Sequence, residues 1–177
     1  MNAANTLKKL GIEKTFDYIY KDPDKNMPKI MDWADKFAEG EFPTQREMIR
    51  EAVTDPSHPY YEFIHHLIND VDPKVTKTLA VNFFINSALV GWKKEEELRK
   101  KYNCNIPWAI LLDPTSACNL HCTGCWAAEY GHKLNLTYDE IDDIICQGKK
   151  LGVYLYIYTG GEPLVRKRDL IRLCEKH

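Results

Sequence analysis

The run Cys118-Asn119-Leu120-His121-Cys122-Thr123-Gly124-Cys125 sets three thiols within eight residues, at the spacing C-x3-C-x2-C. Thiolates are soft ligands that suit zinc or iron–sulfur clusters. A structural zinc site takes four protein ligands, usually as two separated pairs, and the chain has no second C-x2-C. His121 lies between two of the cysteines, where reaching the same metal is awkward. A cubane cluster normally takes four cysteines, so three leave one iron open to an outside molecule. The counting favours a cluster with a vacant corner. A thiol–disulfide role for Cys122 and Cys125 fits less well, because such a motif usually opens a helix in a thioredoxin-like setting and Cys118 has no place in it.

These residues must be held by something, and the surrounding pattern shows what. Pro107 to Leu112 reads as a compact apolar strand, broken by Asp113-Pro114-Thr115 before the cysteines. Thr137-Tyr138-Asp139-Glu140 then has the form of a capping box. Ile141, Ile144, Ile145, Gly148 and Leu151 follow as one helical stripe, with Gly152 as the terminator. Val153 to Tyr158 is a second strand, apolar or aromatic on both faces, as in a sheet covered on each side. It ends in Gly160-Gly161-Glu162-Pro163, and Lys167 to Lys176 is helical again. The order is β-loop-α-β-loop-α, an α/β pattern that sets the strands parallel with both loops on one edge. The Gly-Gly-Glu-Pro turn is therefore expected to face the cysteine loop. Taken alone that turn is an ordinary strand-to-helix connection; its partnership with the cysteines gives it a functional reading.

Together the two motifs resemble the radical S-adenosylmethionine (radical SAM) enzymes. The longer run from Gly160 to Arg166 is most similar to the branch of molybdopterin-precursor synthases and peptide- or cofactor-maturing enzymes. The resemblance covers about residues 106 to 177. It implies that Cys118, Cys122 and Cys125 hold a [4Fe–4S] cluster whose open iron is chelated by SAM. Reductive cleavage then gives a 5′-deoxyadenosyl radical that abstracts hydrogen from a substrate, an oxidoreductase chemistry fed by a one-electron reductant such as ferredoxin or flavodoxin. It also implies that Gly160, Gly161, Glu162 and Pro163 bind SAM, the turn offering polar backbone groups to its methionyl amine and Glu162 a carboxylate nearby. Many relatives carry an aromatic residue before the third cysteine, near the adenine. Here Gly124 holds that position and Trp126 follows the cysteine, so Trp126 reads equally as adenine partner or buried anchor. Glu129, Tyr130 and His132 extend the loop without an assigned role. No catalytic residue and no substrate is assigned.

The rest of the chain sets bounds. At 177 residues with 44% hydrophobic content it is an ordinary globular protein of one or two small domains. A net charge of −2 gives no sign of a nucleic-acid or membrane partner. No leader pattern opens the chain, and Leu79 to Trp92 is too short and too interrupted to span a bilayer. Clustered cysteines without a secretory signal point to reduced thiols and a cytoplasmic location.

Residues 1–104 read as an all-helical accessory domain, and the resemblance implies that 105–177 are the first two βα units of a partial (β/α)6 barrel. Expected helices run over Pro28–Phe37, Thr44–Val53 and His58–Ile68. The longest begins at Asp72-Pro73, buries Val75, Leu79, Phe83, Phe84 and Leu89, and ends near Gly91. His65-His66 reads as a helix-face pair. Cys146 and Cys174 read as small buried hydrophobes, and Cys104 is undecided. Since a full (β/α)8 barrel takes about 250 residues, the expectation is the front part of a longer enzyme, or a barrel completed by a second chain. The rival reading is an inactive fragment that binds an iron–sulfur cluster or zinc without turnover.

Overall fold

A computed structural model describes residues 3–37, 42–125, 130–131 and 133–177, with side chains from residue 10 onward. Trp126, Glu129 and His132 lie outside the described residues. The chain is helix-rich α/β with one two-stranded parallel sheet, and it divides into two units, Met1–Ile85 and Asn86–His177. Among the described residues no helix is long and apolar enough to cross a membrane.

The first unit is helical: α1 (Ala3–Ile19), α2 (Pro23–Phe37), α3 (Pro43–Thr54), α4 (Tyr61–Asn69) and α5 (Pro73–Ala80). Its core gathers Ile19, Met27, Met31, Val53 and Ile68. On the surface, Arg50 pairs with Asp32 and Asp35 on α2, at 2.9 and 2.5 Å, and Arg46 also reaches Asp35. The His65 ring lies tilted against Tyr61, centroids 4.1 Å apart, and His66 pairs with Asp70, so each of the two histidines already has a neighbour close by in sequence. Helix α2 begins at Pro23, earlier than Pro28 suggested, and carries Pro28 inside.

Asp72 caps α5 as its position predicts, accepting from the Lys74 amide at 2.7 Å, with Pro73 at the first helical position. The expected continuation differs. Val81–Gly91 is π-wound and leads directly into α6 (Trp92–Tyr102). Val75, Leu79, Phe83 and Phe84 are exposed, whereas Thr76, Ala80, Val81 and Ile85 are buried. For Phe83 and Phe84, wider π winding turns each side chain through a smaller angle, so a face projected at 3.6 residues per turn drifts off the true one; Val75 and Leu79 lie in the α-wound α5, whose buried face carries Thr76 and Ala80 instead. Gly91 is helical, not a terminator; a side chain there would overlap the Gly152 carbonyl oxygen.

The second unit contains α6, β1 (Ala109–Leu112), α7 (Tyr138–Leu151), β2 (Leu155–Tyr158), a 3-10 turn (Pro163–Arg166) and α8 (Lys167–Lys176). The strands pair in parallel, Ala109 opposite Leu155 through Leu112 opposite Tyr158. Helix α7 starts on the predicted capping box. The Glu140 amide donates to Thr137 Oγ1 at 3.2 Å, and the Thr137 amide to Glu140 Oε2 at 2.7 Å. It ends on Gly152 at φ 97°. Leu112, Ile141, Ile145, Leu170 and Leu173 form the core between the sheet and helices α7 and α8. The other sheet face differs from the two-sided burial expected. Leu111 and Ile157, partners in the register, are 64% and 47% exposed. Cys146 is half-buried and Cys174 exposed; α8 directs Leu170 and Leu173 inward instead.

Candidate metal centre and turn

Beyond their last paired residues the two strands stay joined, and this joins the two motifs. The Thr159 amide donates to Leu112 O at 2.8 Å, Gly161 to Thr115 O at 3.0 Å and Glu162 to Ala117 O at 2.9 Å. The Gly-Gly-Glu turn thus runs alongside the segment that delivers Cys118, as the parallel order predicts. Both glycines are required by space. Gly160 sits at φ 105°, where a Cβ would come within 2.9 Å of Asp113 Cβ and 3.0 Å of Thr115 O. At Gly161 a Cβ would overlap the Ala117 carbonyl. The Glu162 carboxylate accepts from the Leu164 amide at 2.9 Å, capping the short 3-10 turn that Pro163 opens.

The base of the cysteine loop is closed by the chain's return. Thr115 and Asn135 form an antiparallel bridge, Ser116 N donates to Leu134 O at 2.8 Å, and Leu136 N to Pro114 O at 3.1 Å. Thr115, only 1% exposed, is the post at this junction. Its hydroxyl donates to Asn135 Oδ1 at 2.5 Å and accepts from Ala117 N at 3.0 Å, while its carbonyl takes the Gly161 amide. Arg166 fastens the same junction from the exit of the turn. Its Nη1 donates to Pro114 O at 3.1 Å and to Leu136 O, and its other nitrogens hold Asp169 at 2.7 and 3.2 Å. Sequence reading left Thr115, Asn135 and Arg166 without roles. Arg166 could have been found from its place in the run after Gly-Gly-Glu-Pro; nothing marks Thr115 or Asn135 in a single sequence.

Within the loop, Cys118 is half-buried and Cys122 and Cys125 are exposed, all three as free thiols. The Leu120 amide points at Cys118 Sγ at 3.4 Å. The Cys125 amide closes a turn on Cys122 O at 3.2 Å, with Gly124 at φ 73° between them. Their sulfurs do not all lie within the 4.8 Å that gathers ligands around one ion. Three thiols on one loop are the donor type that iron–sulfur clusters take. His121 is exposed.

Beside the junction a cleft of about 720 Å³ is lined by Asp113, Ser116, Lys133, Asn135, Gly160 and Gly161 among others. It opens at the C-terminal ends of both strands, where open α/β sheets bind their ligands. A smaller cleft of about 300 Å³ lies between Asn119, Leu120, Glu162 and Leu164, so the Glu162 side chain borders the cysteine loop. Tyr130 lines the larger cleft.

No family model matches the chain, and no solved structure matches it significantly. Curated proteins do. A GTP 3′,8-cyclase of Alkaliphilus oremlandii is 48% identical over 61 residues, 32% of this chain and 19% of the relative. One of Tolumonas auensis is 43% identical over 69 residues, 37% of this chain and 20% of the relative. One of Desulforamulus reducens is 34% identical over 79 residues, 42% of this chain and 24% of the relative. The chain thus spans about a fifth to a quarter of the length of these relatives. The shared stretches support a relationship to the radical SAM superfamily.

Proposed function

We propose that residues 105–177 are the first two βα units of a partial (β/α)6 radical SAM barrel, preceded by a helical accessory region over residues 1–104. Cys118, Cys122 and Cys125 hold a [4Fe–4S] cluster, and the turn Gly160-Gly161-Glu162-Pro163 binds S-adenosylmethionine. One observation carries this reading: the Gly161 and Glu162 amides bond to the carbonyls of Thr115 and Ala117, immediately before the first cysteine. Two motifs 35 residues apart in sequence, counted from Cys125 to Gly160, are thereby built into one edge.

When bound, the reduced cluster would supply the electron that cleaves SAM to a 5′-deoxyadenosyl radical. The protein's part is placement. Thr115 and Arg166 fix the base of the loop, and the glycines allow backbone to approach the ligand. The remaining carboxylate oxygen of Glu162, beside its cap to Leu164, is the acceptor for the methionyl amine. Trp126, two residues after Gly124, is the nearest aromatic in sequence to the position where relatives pack adenine. A one-electron reductant such as ferredoxin or flavodoxin and a hydrogen-donating substrate complete the set, with the remaining strands supplied by further chain or by a second polypeptide. The partial likeness to cyclases supports an enzyme.

Anaerobic reconstitution with iron and sulfide tests the ligands. Cys118→Ala, Cys122→Ala and Cys125→Ala each should abolish the brown absorbance, and Cys174→Ala should keep it. Colour retained in all three loop variants would refute the assignment. Formation of 5′-deoxyadenosine by the reconstituted chain separates an enzyme from a module that only binds the cluster.

A further inference from the structure

Helix α7 presents Asp142, Cys146 and Lys149 one turn apart along one side, and the end of α8 docks there. His177 Nε2 lies 2.9 Å from Asp142 Oδ1, and Lys149 Nζ holds the His177 carbonyl at 2.9 Å. The ring is therefore fixed at one end by the carboxylate while the backbone is fixed by the ammonium. The side chains of His177 and Asp142 are only 12% and 18% exposed, and Cys146 is half-buried. The ligand atoms of Asp142, Cys146 and His177 all lie within 4.8 Å of one another.

We propose that Asp142, Cys146 and His177 form a zinc site, separate from the cysteine loop. Thiolate, imidazole and carboxylate are the three ligand types that zinc takes, and three protein ligands leave its fourth position to water. The charges balance: one carboxylate and one thiolate against a divalent ion. Lys176 does not oppose this arrangement. Its ammonium lies 2.7 Å from both Asp142 carboxylate oxygens, so a metal at Oδ1 takes that oxygen from the ammonium and leaves it on Oδ2, the kind of outer partner that ligating carboxylates have. Metal binding would join α7 to the end of α8.

Alkylation footprinting of the full chain reads this site apart from the loop thiols. Cleavage after Lys133 and Lys149 leaves Cys146 as the sole cysteine of residues 134–149, and Cys174 falls in residues 173–176. Zinc added in excess over the loop thiols should slow the labelling of Cys146 and leave Cys174 unchanged. Asp142→Ala and His177→Ala should each weaken the zinc that protects Cys146 by about tenfold or more. Equal labelling of wild-type Cys146 with and without zinc would overturn the proposal, as would protection that survives both substitutions. The wild-type measurement stands even where a variant folds poorly, and it does not depend on the loop holding a cluster.

Discussion

A methyl group at Gly161 would occupy the space of the Ala117 carbonyl, which itself accepts the neighbouring Glu162 amide. Gly161→Ala therefore cannot be absorbed by a side chain swinging away; backbone must move. Overpacking of this kind costs about 1–3 kcal/mol, and urea unfolding should show that loss together with weaker cluster retention after reconstitution. Unchanged stability would mean that the turn and the cysteine lead-in are not in register. The residues with distinctive chemistry, three cysteines and two glycines, stand out in a bare sequence because few other patterns use them so closely. Thr115 does not, since a threonine after proline has many uses and its post-like role depends on Asn135 coming back to meet it.

At the scale of elements, α7 shows why a helix can carry a glycine in its apolar stripe. A side chain at Gly148 would overlap the Tyr156 hydroxyl, which lies 3.1 Å from both Ile145 O and Val153 O and shares its one proton between them. Burial pushes the Tyr156 phenol up to about 12, so it stays a neutral donor. Alanine favours a helix over glycine by about 1 kcal/mol, yet Gly148→Ala should destabilise the protein by about 1–3 kcal/mol through the clash. Tyr156→Phe in the same chain should recover part of that loss, and a double-mutant cycle reads the coupling. Additive effects would remove the clash as the cause. Capping box, apolar stripe and terminal glycine were all legible for α7 because local rules set them. The π-wound Val81–Gly91 was not, since its face depends on winding that a 3.6-residue template does not contain.

For the whole molecule, stability against pH is a contest between carboxylates. Asp142 is held below its usual range by Lys176 and then His177, so its contribution is present above pH 3.8 and lost as pH falls through the lowered value. Glu95 works in the opposite sense. It is 1% exposed, burial raises its carboxyl, and Arg99 at 3.3 Å only partly offsets that. A raised folded value means its contribution is full below pH 4.5 and is lost as pH rises through the raised value. Glu95→Gln should flatten the decline in stability on the alkaline side of pH 4.5. Denaturant midpoints taken from about pH 4 to 8 read that slope, and an unaltered profile would exclude Glu95 as its source. The pair mattered little to a sequence reader, to whom Glu95-Glu96-Glu97 is a wet helix face. Burial of its first member comes from packing beside Gly152, where Glu95 Cγ lies 3.2 Å from the point that a Cβ on that glycine would occupy. The α/β class and the parallel order were legible, whereas the bare sheet face at Leu111 and Ile157 was not, because apolar strand residues look the same whether or not something covers them.

The strut between Thr115 and Asn135 also sets an order of events on the proposed reading. The ends of the thiol loop are brought together by protein-only bonds, so that entropy is lost when the polypeptide folds and not when metal arrives. The receptacle precedes its cargo. A carrier can hand an assembled inorganic unit to a finished scaffold, and oxidative loss of that unit leaves a frame ready for repair.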